Sequence, residues 1–122
     1  MYIIYLKEED LLKPEQFPAV ALINEAANSD LFEFVENLNR GIGSGYDYSN
    51  CSFWNEMDEY DQLFTPRFDG LLVNNESGEE IIVPYKDFLY YLEILYSRLM
   101  HTNFSRLSDL RNLLDNFKTK YC

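Results

Sequence analysis

Apolar side chains recur along this chain with a helical period in four stretches and gather into short β-branched or aromatic runs elsewhere. Phe17-Pro18 opens the first helix, because proline suits a first turn whose amides have no intrahelical partner. Val20, Leu22, Ile23, Ala26 and Ala27 give this helix its apolar face, and Asn28-Ser29 end it. Asp30, with Glu33 three residues on, has the shape of a capping box. Leu31, Phe34, Val35 and Leu38 then continue at the spacing of a second helix. Arg40 sits in its last turn, where a cation suits the helix dipole, and Gly41 is a natural terminator. The tight connection predicts that these two helices form an antiparallel pair.

Before them, Tyr2 to Leu6 reads as a short strand, with an opening helical turn as the alternative, and Glu8 to Gln16, charged and holding Pro14, as a linker or loop. After them, Cys51 to Trp54 is a candidate short strand. Arg67 to Asn74 and Glu79 to Val83 are predicted strands, joined through Asn74, Asn75, Ser77 and Gly78 as a hairpin, with Pro84 ending the second. Tyr85 to His101 is a predicted helix with Tyr85, Phe88, Leu89, Leu92, Leu95, Tyr96 and Leu99 on one stripe, expected to pack across the hairpin. A last helix is expected from Phe104 and Ser105, with Leu107, Leu110, Leu114 and Phe117 inward. Helices, then a small antiparallel sheet, then helices is an α+β order. At 122 residues, the chain from 1 to 122 reads as a single domain.

Charge changes the picture next. Twenty-one Asp and Glu stand against ten Lys and Arg, a formal net charge of −11. Such a field repels nucleic acid and anionic membranes, and it attracts basic proteins. Ten Tyr, nine Phe and one Trp separate the chain from disordered acidic tails, which lack aromatics. No apolar run approaches a membrane span. The opening Met-Tyr-Ile-Ile-Tyr-Leu has no basic flank before it and runs into Glu8, Glu9 and Asp10, so it does not read as a signal peptide. Cys51 and Cys122, one in mid-chain and one at the end, read as free thiols in a reducing cytoplasm.

Catalytic chemistry finds little support. Gly41, Gly43 and Gly45 follow a helix and lead into acid, the reverse of a dinucleotide loop, and fit a helix-end loop. His101 is the sole histidine and lies near a helix end, where a cation is favourable. Cys51 has acids around it, which disfavour a thiolate, and reads as a small buried apolar residue. Asp58, Glu59 and Asp61 lack the ligand spacing of a calcium loop. No cofactor, metal or catalytic residue is therefore expected, and the chain reads as a binding protein. The alternatives are an adaptor or regulator of some other basic protein and, further off, a small carboxylate hydrolase.

The stretch 41–66 carries five acids (Asp47, Glu56, Asp58, Glu59, Asp61) and no base, together with Tyr46, Tyr48, Phe53, Trp54, Tyr60 and Phe64. Tyrosine and tryptophan are enriched at interface hot spots, and neighbouring acids can pair with a basic partner. So long a connection with little regular structure reads as a recognition surface.

The run Gly-Ile-Gly-Ser-Gly-Tyr-Asp-Tyr-Ser-Asn-Cys-Ser-Phe (41–53), the acidic loop after it, Arg-Phe-Asp-Gly-Leu-Leu-Val (67–73) and Ile-Ile-Val-Pro-Tyr-Lys-Asp-Phe-Leu-Tyr-Tyr-Leu (81–92) resemble the immunity proteins of bacterial contact-dependent growth inhibition systems, in the branch that neutralises ribonuclease toxins. The resemblance covers roughly residues 17 to 117, and departs from the family at Pro84, where a Ser-type cap is expected. It implies a cytoplasmic protein that binds the cognate C-terminal toxin domain of a neighbouring cell's effector, as a monomer in a 1:1 complex, and blocks the nuclease. Nuclease sites are basic because they bind phosphates, so an acidic, aromatic surface is their complement. The expected contact residues are Tyr46, Asp47, Tyr48, Glu56, Asp58, Glu59, Tyr60 and Asp61, with Asp69 and Glu76 at the margin.

Overall fold

The computed structural model describes residues Met1–Cys122. Five helices flank a four-stranded antiparallel sheet, which makes the fold α+β as the sequence predicts. The helices are α1 (Phe17–Ala27), α2 (Leu31–Asn39), α3 (Glu59–Phe64), α4 (Tyr85–Leu99) and α5 (Leu107–Tyr121). The strands are β1 (Ser44–Gly45), β2 (Ser49–Ser52), β3 (Gly70–Asn75) and β4 (Glu80–Pro84), in the order β1-β2-β3-β4.

Burial along β3 sets the sheet. Leu71 and Val73 are fully buried, and their partners Val83 (opposite Leu71) and Cys51 (opposite Val73) are buried with them. The opposite face carries Leu72, paired with Ser52 and Ile82, and Ile82 is exposed. Because side chains alternate with a period of two, a slip of one residue would bring the inner set out to solvent.

Helix α1 is apolar nearly all round and lies at the centre, against β2 and β3. Helix α2 is amphipathic and turns Leu31, Phe34, Val35 and Leu38 inward, chiefly onto α5. Asp30 caps it by accepting from the Glu33 amide at 3.0 Å. At its far end Gly41 adopts φ +74°, and the amides of Ile42 and Gly41 return to the carbonyls of Asn37 and Leu38. That is the paired closure that a left-handed glycine allows. The two helices are adjacent in sequence, but each finds its main partner elsewhere, and the expected antiparallel pair is the lesser contact.

Two expectations need correction. Tyr2 to Leu6 is not a strand. Asparagines of α1 and its C-cap take the place of a neighbouring strand: Asn24 Oδ1 accepts from the amides of Tyr5 (3.1 Å) and Leu6 (3.0 Å), and its Nδ2 donates to the Leu6 carbonyl at 3.0 Å. Asn28 does the same for Ile3, at 2.8 and 2.7 Å. The loop from Glu8 to Gln16 contains two 3₁₀ turns, Glu8–Asp10 and Pro14–Gln16. The last helix begins at Leu107, not Phe104, because Arg106 takes a left-handed φ of +65°. Its guanidinium lies 4.0 Å from the Phe32 ring centroid, and Phe32 stacks on Phe104 at 5.7 Å.

Helix α4 buries Phe88, Leu89, Tyr91, Leu92, Leu95 and Leu99. Tyr91 is absent from the predicted stripe, yet it is fully buried. Its hydroxyl donates to Gln16 Oε1 at 2.5 Å and accepts from the Leu12 amide at 3.0 Å. Arg98, near the end of the helix, grips Asp10 with two bonds of 2.6 and 2.7 Å and also donates to the Tyr5 carbonyl. The N-terminal sixteen residues, which hold little regular structure, are thus bolted down by side chains of α1 and α4.

Tyr91→Phe keeps the ring and removes the hydroxyl, leaving Gln16 Oε1 and the Leu12 amide without that partner. Urea denaturation is expected to show a loss of about 1–3 kcal/mol, with an unchanged slope. The Arg98 guanidinium holds the Asp10 carboxyl below its ordinary range, against the opposing effect of burial. A depressed carboxyl contributes stability that is whole above its unfolded value of about 3.9 and is lost as pH falls through the folded value. Wild type is therefore expected to be more stable than Asp10→Asn at pH 7, with the gap closing below about pH 4 in thermal melts.

Candidate functional site

The sheet register divides the ten expected contact residues between its two ends. Ser49 pairs with Asn75, so the β1–β2 turn and the β3–β4 turn lie side by side. Tyr46, Asp47, Tyr48 and Glu76 are there, and the Glu76 amide donates to the Tyr48 carbonyl at 2.8 Å. Ser52 pairs with Leu72, and Gly70 with Pro84, so the connection from β2 to β3 leaves from the opposite end. Glu56, Asp58, Glu59, Tyr60, Asp61 and Asp69 belong to that end. The length of β3 puts roughly 17 Å between the two groups.

The first group is partly structural. Tyr46 is half-buried, with its ring 6.1 Å from that of Phe34. Burial pushes its hydroxyl up to about 12, with smaller contributions from the neighbouring Cys51, Glu33 and Asp30. Asp47, Tyr48 and Glu76 are exposed. The Tyr48 amide donates to Glu25 Oε2 at 3.1 Å, tying the turn to α1.

The second group forms a surface. The stretch 41–66, expected to hold little regular structure, contains β1, β2, a 3₁₀ turn at Trp54–Glu56 and α3. The predicted strand at Cys51 to Trp54 is shifted to Ser49–Ser52. Glu56 is not a free contact residue, since its Oε1 accepts from the amides of Gly43 (2.9 Å) and Phe53 (2.8 Å) and pins the two ends of the β1–β2 hairpin. Gly43 is needed there because an added Cβ would collide with the Cys51 carbonyl oxygen. Asp58 caps α3 by accepting from the Asp61 amide at 2.7 Å.

Helix α3 buries none of its residues. Its inner contact is polar: Gln62 Nε2 donates to the carbonyls of Met57 (3.1 Å) and Trp54 (3.3 Å). Its outer face is apolar, with Tyr60 69%, Leu63 79% and Phe64 72% exposed and the Tyr60 and Phe64 rings 5.1 Å apart. This inverts the usual arrangement of a surface helix. Glu59 and Asp61 stand beside these side chains, also exposed. Leu63 and Phe64 were not among the expected contact residues. The sequence signal is Tyr60, Leu63 and Phe64 at i, i+3 and i+4 behind an Asp cap, a helical period only one turn long within a stretch rich in loop-forming residues.

None of the ten expected residues takes part in a salt bridge. Those bridges join Arg98 to Asp10, Arg106 to Asp109, and Arg111 to both Glu93 and Asp115, all outside the stretch 41–66. Its negative charge is therefore not neutralised by pairing.

Other candidate chemistry has a structural account. Cys51 is buried, and burial pushes its thiol up to about 12, with the Glu56 charge adding to the effect. Cys122 is exposed, and the two are unpaired. His101 is exposed just beyond the C-cap of α4. No three His, Cys, Asp or Glu side chains converge as ligands for a metal ion, and no helix is long and apolar enough to cross a membrane.

The fold and this surface define an α+β protein whose most exposed apolar helix is ringed by unpaired acids. Comparison with protein-family models, with curated proteins and with solved structures finds no match.

Glu56→Ala removes the acceptor shared by Gly43 and Phe53. The expected result is a loss of about 1–3 kcal/mol in chemical denaturation, together with faster amide exchange at Gly43 and Phe53.

Proposed function

We propose that this chain is an immunity protein of the contact-dependent growth inhibition type, which binds a cognate ribonuclease toxin domain and covers its basic active site. The observation that carries this reading is α3, a helix whose apolar side chains face solvent among unpaired acids. Exposed aromatic and aliphatic side chains of this kind lose water when a partner covers them, and large exposed apolar patches mark interaction sites. The acids supply complementarity to a phosphate-binding cleft and steer the encounter. The resemblance of segments 41–53, 67–73 and 81–92 to the immunity family supports a ribonuclease toxin domain as that partner.

The docking surface in this reading centres on Tyr60, Leu63 and Phe64, with Asp58, Glu59, Asp61 and Asp69 around them. Tyr46, Asp47, Tyr48 and Glu76, at the far end of the sheet, are left for a second contact if the toxin is long enough to reach. The chain acts by occupancy, without a reaction of its own.

Co-purification with a candidate toxin domain, followed by an RNA-cleavage assay, tests this directly. Addition of the protein is expected to abolish cleavage at a 1:1 ratio. Leu63→Ala with Phe64→Ala is expected to weaken binding about 100-fold, mainly through faster dissociation, with little loss of stability. Asp58→Asn, Glu59→Gln and Asp61→Asn together are expected to slow association and flatten its salt dependence, while the amide oxygen introduced by Asp58→Asn still caps α3. Unchanged affinity in both variants would remove α3 from the interface. Binding to a basic protein without any effect on RNA cleavage would favour an adaptor instead.

A further inference from the structure

A cleft of about 540 Å³ opens between the Trp54–Glu56 turn, residues 67–69, the start of α4 and the end of α5. Its volume lies within the range of small-molecule sites, and such sites combine apolar walls with a few converging polar groups. Aromatic rings form much of the wall. Tyr85 and Tyr121 lie 4.7 Å apart, and Trp54 is held at the rim by its Nε1, which donates to the Thr65 carbonyl at 3.1 Å.

The polar groups of this cleft run against the charge of the molecule. Two of the chain's ten cations, Arg67 and Lys120, line it with a single acid, Asp69. Arg67 forms no salt bridge, although acids outnumber bases about two to one in this chain. Its guanidinium lies 5.4 Å from the Trp54 ring centroid, and its one hydrogen bond, to Asn55 Oδ1, is long at 3.4 Å. A guanidinium held over an aromatic face keeps its outer donors free for an anion. Lys120 donates to the Asn39 carbonyl and keeps further donors for a second partner.

We propose that this cleft binds a small planar ring carrying an anionic group, the chemistry shared by nucleoside monophosphates and aromatic carboxylates. The ring stacks among Trp54, Tyr85 and Tyr121. The anion meets Arg67 and Lys120. Asp69 accepts from a hydroxyl or amine of the ligand, and its charge disfavours a bare anion. The net charge of −11 repels a polyanion such as RNA far more than a ligand of one or two charges. The cleft adjoins the proposed toxin-binding surface and shares Asp69 with it, but its aromatic and cationic lining is separate and the proposal does not rest on that reading.

Trp54 is the only tryptophan and lines this cleft, so its fluorescence is a probe of binding there. Adenosine monophosphate and benzoate are titrated beside adenosine and inorganic phosphate, with calorimetry as a second readout. At least one ring-bearing anion is expected to saturate with a Kd below about 1 mM, and whichever binds tighter identifies the source. Adenosine and phosphate are each expected to bind about tenfold more weakly than the better ring-bearing anion. Arg67→Ala, at an exposed residue without an ion pair, is expected to weaken binding about tenfold with an unchanged melting temperature, and Lys120→Gln to weaken it less. No saturation by either ring-bearing anion, phosphate binding as tightly as the better of the two, or unaltered binding in Arg67→Ala would each overturn the proposal.

Discussion

The inward burial of Leu71 and Val73 on β3 is the constraint on which the rest of this structure depends. With these two side chains in the core, Cys51 on one neighbour and Val83 on the other must face the same way. The register that follows decides which connections share an end of the sheet. It sends the β1–β2 and β3–β4 turns to one end and the connection that carries α3 to the other. Helix α1 then covers the buried face, and α4 and α5 pack against each other beside it. The places of the exposed acids and aromatics between residues 46 and 76 follow from that register.

A second layer of order comes from polar side chains acting where regular backbone pairing is absent. Asn24 and Asn28 supply to Ile3, Tyr5 and Leu6 the hydrogen bonds that a neighbouring strand would have supplied. Tyr91 satisfies Gln16 and Leu12, and Arg98 holds Asp10. Buried backbone groups must be paired somewhere, and a segment without a strand partner finds side chains instead. The same logic holds Glu56, whose carboxylate serves two amides of the hairpin and is thereby withdrawn from the contact surface.

The electrostatic pattern separates structure from recognition. Arg98, Arg106 and Arg111 are committed to acids of their own region, around α4, α5 and the N-terminal segment. The α3 surface keeps its acids unpaired and its apolar side chains outward, a combination suited to a basic partner. Arg67 is placed differently again, over Trp54 in a cleft of aromatic rings beside α3, so two chemically distinct surfaces adjoin at one end of the sheet.

Much of the fold was legible along the chain. The periods of Val20 to Ala27, Leu31 to Leu38 and Phe88 to Leu99, the cap at Asp30, the terminator at Gly41 and the hairpin from Arg67 to Val83 all depend on neighbours within a few residues. Such interactions are written into any short window, and so is the gathering of acids and aromatics in 41–66. What only the tertiary structure decided depends on residues far apart in sequence. It set Asn24 against Leu6, Tyr91 against Gln16 and α2 against α5, and it parted Tyr48 from Tyr60 by the length of a strand. Burial decides which face of a helix meets the core. The local pattern of α3 could show a helix, but only the absence of anything packed over Tyr60, Leu63 and Phe64 shows that its apolar side faces water.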